Sequence, residues 1–362
     1  MAHNKLQHYV PKFLLKNFAI PESDGRSIVV GNLTSKTFHE RANVRGQCAS
    51  NYYYGRDGKL EKILSEIENF VSRVLRTIRT SGTLPEEGTK EWYELTSFIM
   101  IQQQRTMGAE NEANVLATSL YRDILRDDFS PELLAAITVR KSISPLERVQ
   151  WGVRLTKDVL DLADVLVHNH TDLEFVLPDT GCVFHNDWAR ECQKEACGTL
   201  SQGLQIFMPI SPRHVLIKFD QAVYTGHHRA TVNTSSLADI KTINRLMIAS
   251  ADRNVYFSGD SETRRFLSNF DTHPRAPSSE RVRLVRLKNL TSPEIATAFW
   301  PMPIRFSAKL SFMRQHQSVV FIPSAWRDGM YRATAYTKRR REEPEWIRTG
   351  HYSVNALSPP DR

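Results

Sequence analysis

Hydrophobic residues recur at helical spacing across the first third of the chain. Leu60, Ile63, Leu64, Ile67, Val71, Val74, Leu75 and Ile78 fall on one face of an amphipathic helix of about five turns. Gly82 and Pro85 stop it. The pattern predicts a second long helix from about Thr89 to Asp127, and shorter ones over Pro131–Lys141 and Pro145–Leu162. Before them, residues 8–18 read as a short helix entered through Pro11, Ser27–Gly31 and Lys36–His39 as a hairpin, and Asn43–Tyr54 as a loop. After residue 162 the pattern changes to short apolar runs bounded by Gly, Pro and Asp. Val165–His168, Leu173–Leu177, Leu204–Met208, Val215–Phe219 and Asn254–Ser258 read as strands. Between the last two lies a helix over Ser236–Ser250, with Ser236 and Asp239 spaced as a capping box. Arg281–Arg286 alternates like a half-exposed strand.

This arrangement predicts an α+β fold in which an N-terminal helical half packs on a mixed or antiparallel sheet half. Residues 1–260 would form the domain, with a helical part over about 55–162 and a strand-rich part over about 163–260. Residues 261–362 would be a basic appendage carrying Trp300, Trp326 and Trp346.

Some polar residues fall where this pattern asks for apolar ones. Gln102 and Arg105 interrupt the stripe Leu95, Phe98, Ala109. Asn244 interrupts Leu237, Ile240, Met247, Ala251, and Arg253 follows. Burying an amide or a guanidinium costs several kcal/mol unless it finds partners, which makes such positions candidates for a site. The structural alternative for Arg105 is a guanidinium that pins a loop or a carboxylate; for Asn244 it is an amide satisfying a strand edge. Asp179, in Pro178-Asp179-Thr180-Gly181, sits just past a strand, where carboxylates bind substrate or metal, or only cap their own turn. Glu61 and Glu68 lie seven apart on the first long helix. His8 can act as base, ligand or hydrogen-bond bridge.

Composition narrows the classes. In 362 residues no run of about 18 apolar residues appears, so no membrane span is expected. Met1–Gln7 lacks the apolar core of a signal peptide, and four cysteines fit a reducing cytoplasm better than a disulfide scaffold. A net charge of +8 favours anionic partners such as nucleic acid or nucleotides. Arg281, Arg283, Arg286 and Lys288 form one basic run and Lys338–Arg341 another, the latter followed by Glu342, Glu343 and Glu345. Cys182, His185, Cys192 and Cys197 offer thiolate and imidazole donors for a structural zinc, in a spacing that matches no standard zinc motif.

The opening His8-Tyr9-Val10-Pro11-Lys12-Phe13-Leu14-Leu15-Lys16-Asn17-Phe18 resembles the start of the bacterial family catalogued as domain of unknown function 4238. Further pieces resemble it in order: Asn43-Val44, Tyr53-Tyr54, the Glu61/Glu68 helix, Gln102 to Arg105-Thr106, Pro209-Ile210-Ser211-Pro212, and Asn244 through Ala251 to Arg253 and Tyr256. The likeness covers about residues 8–260. Where the family tends to carry Ser-Asp-x-Pro, this chain has Pro178-Asp179-Thr180-Gly181, so the Asp is kept and a role for that Ser does not transfer. The resemblance implies no settled activity. It does imply shared polar residues that coincide with His8, Gln102, Arg105, Asp179 and Asn244, and hence one pocket between the two halves.

The expectation drawn from these residues is a hydrolase of phosphodiesters in nucleic acid or nucleotides, in the manner of a host-defence or toxin-like nuclease. His8 would be the base, Arg105 the phosphate clamp, and Asp179 the group that orients His8 or binds a divalent metal ion. Gln102, Asn244 and Arg253 would hold substrate. The alternative is a non-enzymatic nucleic-acid- or protein-binding regulatory module, in which His8, Arg105 and Asp179 tie the N-terminus to the core.

Overall fold

The computed structural model describes residues 5–125, 128–136, 143–191, 197–269, 282–287, 296–301, 306–316, 332, 347 and 350–357. The chain opens with β1 (Leu6–His8), α1 (Lys12–Lys16), the hairpin β2 (Ser27–Asn32) and β3 (Thr37–Asn43), and β4 (Ala49–Asn51), which pairs with β1. His8 therefore ends a strand, and the expected helix over 8–18 begins only after Pro11, its N-cap.

The helical part follows as α2 (Lys59–Ser81), α3 (Lys90–Gln104), α4 (Met107–Ile124), α5 (Pro131–Ala136) and α6 (Pro145–Leu155). α2 ends at Gly82 in the left-handed region, at φ 67°, with its N–H on the Ile78 carbonyl. The single helix expected over 89–127 is broken in two. Thr106 leaves helical geometry and accepts the Ala109 N–H on its hydroxyl, a side-chain cap that restarts the helix as α4.

The strand-rich part contains β5 (Ala163–Asn169), β6 (Leu177–Pro178), β7 (Val183–His185), α7 (Asp187–Glu191), β8 (Gln205–Ser211), β9 (His214–Phe219), β10 (Tyr224–Thr225), β11 (Thr231–Thr234), α8 (Leu237–Ser250), β12 (Asn254–Phe257) and α9 (Ser261–Ser268). β13 (Val282–Leu287) pairs with β14 (Ala296–Pro301), and β15 (Arg314–Gln315) with β10. One sheet has the order β11-β5-β9-β8-β7, mixed because β11 runs parallel to β5. The other, β3-β2-β12-β6, is antiparallel. The fold is α+β.

Strand alternation divides the apolar residues between two cores. Leu166, Ile206, Met208, Leu216, Val30 and Tyr256 face α2, α3 and α6. Val165, Val167, Phe207, Ile217, Val29 and Val255 face α8. α3 is docked on the sheet by polar contacts as well. Trp92 Nε1 donates to Asp164 Oδ2 at 2.8 Å, and Lys218 Nζ lies 2.6 Å from Asp164 Oδ1.

The stretch read as an appendage contributes to both cores. Ala308, Leu310 and Met313 join the α8 side, and Val354 and Leu357 the helical side. Ser311 donates through its N–H and hydroxyl to Asp239, so Asp239 is turned away from closing the capping box with Ser236. Buried Arg332 donates to both Asp161 oxygens and to the Ser201 carbonyl. Among the described residues no helix is long and apolar enough to cross a membrane. The Lys338–Arg341 run lies outside the described residues, as do Arg281, Lys288, Trp326 and Trp346.

Candidate functional site

Gln102 sits in the last turn of α3 with no solvent exposure. Its Nε2 donates to the Tyr9 carbonyl at 3.1 Å and the Thr180 carbonyl at 3.2 Å; its Oε1 accepts from Arg105 Nε at 2.8 Å. One amide thus joins the N-terminal segment, the end of α3 and the turn after β6. That turn needs glycine: Gly181 has φ +77°, and a Cβ there would lie 2.6 Å from Gln102 Nε2. Arg105 continues the chain of contacts. Its Nη1 donates to Glu68 Oε1 on α2 at 2.8 Å, and its guanidinium stands 5.6 Å from the Phe98 ring centre. Its Nη2 is buried without a hydrogen-bond partner among the described residues.

Asp179 takes a different part. Its Oδ1 accepts the Asp252 N–H at 2.7 Å, and its Oδ2 accepts those of Arg253 at 2.8 Å and Asn254 at 3.0 Å. The carboxylate braces the entry to β12 rather than its own turn. Burial, and then the neighbouring Asp252 charge, push its pKa up to about 6 against the pull of the three donors. Beside it the Cys48 thiol donates to the Tyr256 hydroxyl at 3.2 Å, and burial drives both groups far above their ordinary range, so Cys48 is a thiol and not a nucleophilic thiolate.

His8 donates from Nε2 to the Arg45 carbonyl at 3.1 Å. Burial, then Lys12, lower its pKa to about 4, so the ring is neutral at pH 7. The arrangement expected from sequence, in which Asp179 orients His8, is not the one found. Both Asp179 oxygens are spent on backbone N–H groups, and His8 is turned to the loop at Arg45. Asn244 behaves as a structural amide: its Oδ1 accepts from Val176 N at 3.1 Å, and its Nδ2 donates to the Glu174 carbonyl at 2.7 Å. Arg253 is exposed, and only its backbone enters the Asp179 brace. The structure thus brings Gln102 and Arg105 together and sets Asp179 one peptide away, through the Thr180 carbonyl.

A family model described as "Protein of unknown function (DUF4238)" matches residues 6–261. The chain belongs to the DUF4238 family. No curated protein and no solved structure matches it. The DUF4238 match runs from β1 to the first residue of α9, so every residue of the Gln102 hub and the Asp179 brace lies inside it.

Sequence reasoning also missed a buried arginine of this DUF4238 domain. Arg148 on α6 is buried, donates to the Tyr53 hydroxyl at 3.1 Å and to Glu110 Oε2 at 3.3 Å, and closes the break between α3 and α4 through the Gln104 carbonyl. Its position on the buried face of an amphipathic helix was the available signal. For the zinc set, Cys182 and Cys197 are buried free thiols pushed up to about 12 by burial, and Cys192 lies outside the described residues. Among the described residues no group of three or more His, Cys, Asp or Glu is placed to hold a metal ion.

Proposed function

We propose that this DUF4238 protein is a non-enzymatic nucleic-acid-binding module. The reading rests on the second half of α2. From Phe70 to Ser81 it carries Arg73, Arg76 and Arg79 and no acid. Phe70 is half-buried, with the Arg73 guanidinium 5.6 Å and the Lys90 ammonium 5.3 Å from its ring centre. It lines a groove of about 490 Å³ between α2 and α3, whose lining also includes Arg73, Glu86 and Glu91. An aromatic flanked by exposed cations suits a single strand, in which bases stack and phosphates pair with the charges. Supporting it, His8, Gln102 and Asp179 spend their polar atoms on protein partners, as a brace for the fold would.

Fluorescence anisotropy of a labelled single-stranded oligonucleotide at several salt concentrations tests it. Each phosphate contact adds roughly 0.7 to the slope of log K against log salt, so combining Arg73→Gln, Arg76→Gln and Lys90→Gln is expected to flatten that slope by about 2. No binding by the wild-type chain at low salt, or an unchanged slope in the folded triple variant, sinks the proposal.

One observation favours hydrolysis of phosphodiesters as a second reading: the Asp179 carboxyl, at about 6, stands beside Asp252, and buried Arg105 Nη2 has no hydrogen-bond partner among the described residues. A buried carboxyl raised in this way next to a second carboxylate is a pattern of acid–base catalysis. Cleavage of DNA or RNA with magnesium or manganese, abolished by Asp252→Asn in a folded protein, would favour it over the binding module.

A further inference from the structure

Three imidazoles meet at the end of the five-stranded sheet. His168 on β5 is paired with His214 on β9, and their rings stack 4.5 Å apart at 20°. The His170 ring lies 4.1 Å from that of His168. Residues 166 and 216 show which face this is, since Leu166 and Leu216 pack toward the helices. The end of α2 closes over it: the Gly82 carbonyl accepts from the Thr231 hydroxyl, and the Pro85 carbonyl from Arg229 at 3.3 Å. That docking brings Arg79 to the histidines.

Among the described residues, the charged side chains that act on His168 and His214 are cationic. Burial, then His168 and Arg79, depress His214; burial, then His170 and lastly Arg213, depress His168; burial, then Arg76, depress Arg79. The hydrogen bonds are neutral ones, with Ser211 Oγ 2.9 Å from His214 Nδ1 and Asn233 Oδ1 3.0 Å from His170 Nε2. The carboxylate that feels Arg213 is Glu174, which is held by Ser258. Arg79 Nε is buried with no hydrogen-bond partner among the described residues. An arginine in the last turn of a helix ordinarily complements the dipole from solvent. That does not account for a buried Nε without an acceptor on an arginine whose charge reaches His214 and Arg76. A bound anion does, because it supplies the missing acceptor and offsets the like charges.

We infer that Arg79, His168, His170 and His214 form a binding site for a tetrahedral oxyanion of the phosphate type. Its four residues are not among those lining the Phe70 groove, and it does not depend on oligonucleotide binding there; a small anion probes it alone. Sulfate keeps both charges across the range where histidine titrates, so its pH dependence reports the protein. In calorimetric titrations of the full chain at constant ionic strength, sulfate is expected to bind roughly tenfold more tightly at about pH 5.5 than at about pH 7.5, because bound anion favours protonated imidazole. Arg79→Met is expected to lose the binding while retaining its circular dichroism. Should that variant fail to fold, His170→Asn at an exposed position is expected to weaken binding at least about threefold at the lower pH. No saturable sulfate binding, equal affinity at both pH values, or undiminished binding in a folded variant overturns the site. Repeating the titration with inorganic phosphate and with a nucleoside 5′-monophosphate distinguishes the source: tighter binding of the ester identifies a phosphorylated ligand, and phosphate alone a free anion.

Discussion

Asp179→Ala is expected to cost the fold about 3 kcal/mol at pH 7. The substitution strands three backbone N–H groups, of Asp252, Arg253 and Asn254, at the entry to β12. At about 2 kcal/mol for each of these part-buried donors left without its acceptor, the gross loss is at most roughly 6 kcal/mol. The removed carboxylate was itself under strain. Its pKa rises from the ordinary 3.8 to about 6. At 1.36 kcal/mol per pKa unit, losing that buried charge returns roughly 3 kcal/mol. Asp179→Asn keeps one acceptor and relieves the charge, but it turns an amide N–H toward backbone donors, so a loss of about 2 kcal/mol is expected. Urea denaturation of wild type and both variants measures this. If Asp179 served chemistry and not the fold, the Asn variant would unfold at the wild-type midpoint, and that result would reject the brace.

The contrast between Asp179 and α2 shows what the sequence could carry. α2 was legible because its seven buried apolar residues are local and periodic. Asp179 was legible as a residue of interest and not as a brace, because the N–H groups it accepts lie more than seventy residues further on. A turn-forming Pro-Asp-x-Gly looks the same whichever backbone the carboxylate reaches. Gln102 and Asn244 were read as buried on periodicity alone, and both are fully buried. Their partners, the carbonyls of Tyr9, Thr180 and Glu174, are backbone groups that no side-chain pattern announces. The break at Arg105 was hidden for a related reason. Apolar spacing runs on through the junction; the Thr106 cap is local, but the pull of Glu68 on Arg105 and of Arg148 on the Gln104 carbonyl is tertiary. β11 escaped notice as a short, polar edge strand whose parallel pairing with β5 is set by the fold. The histidine stack escaped because His168 and His214 are neighbours only across that sheet.

That stack leads to the second large effect, an acid-dependent loss of stability traceable to His214. The residue is 9% exposed, and burial, followed by His168 and Arg79, lowers its pKa from 6.5 to about 4. A histidine depressed in the folded state is neutral there while the unfolded chain takes up the proton. Its contribution is therefore complete above about pH 6.5 and is lost as pH falls toward about 4. The full shift corresponds to roughly 3 kcal/mol, and screening by water at the open sheet end reduces this to about 2 kcal/mol. The raised carboxyls of Asp179, Glu68 and Glu174 titrate with the opposite sign, so the total stability curve does not isolate the histidine. The difference between wild type and His214→Asn does, since those carboxyls are common to both chains and the asparagine amide can keep the bond to Ser211. Wild type is expected to lose about 2 kcal/mol relative to the variant between about pH 7 and about pH 4.5. A gap that stays flat over that interval means the folded ring accepts its proton freely. Saturating sulfate is expected to narrow the wild-type loss, because an anion between Arg79 and the stack removes the repulsion that keeps His214 neutral.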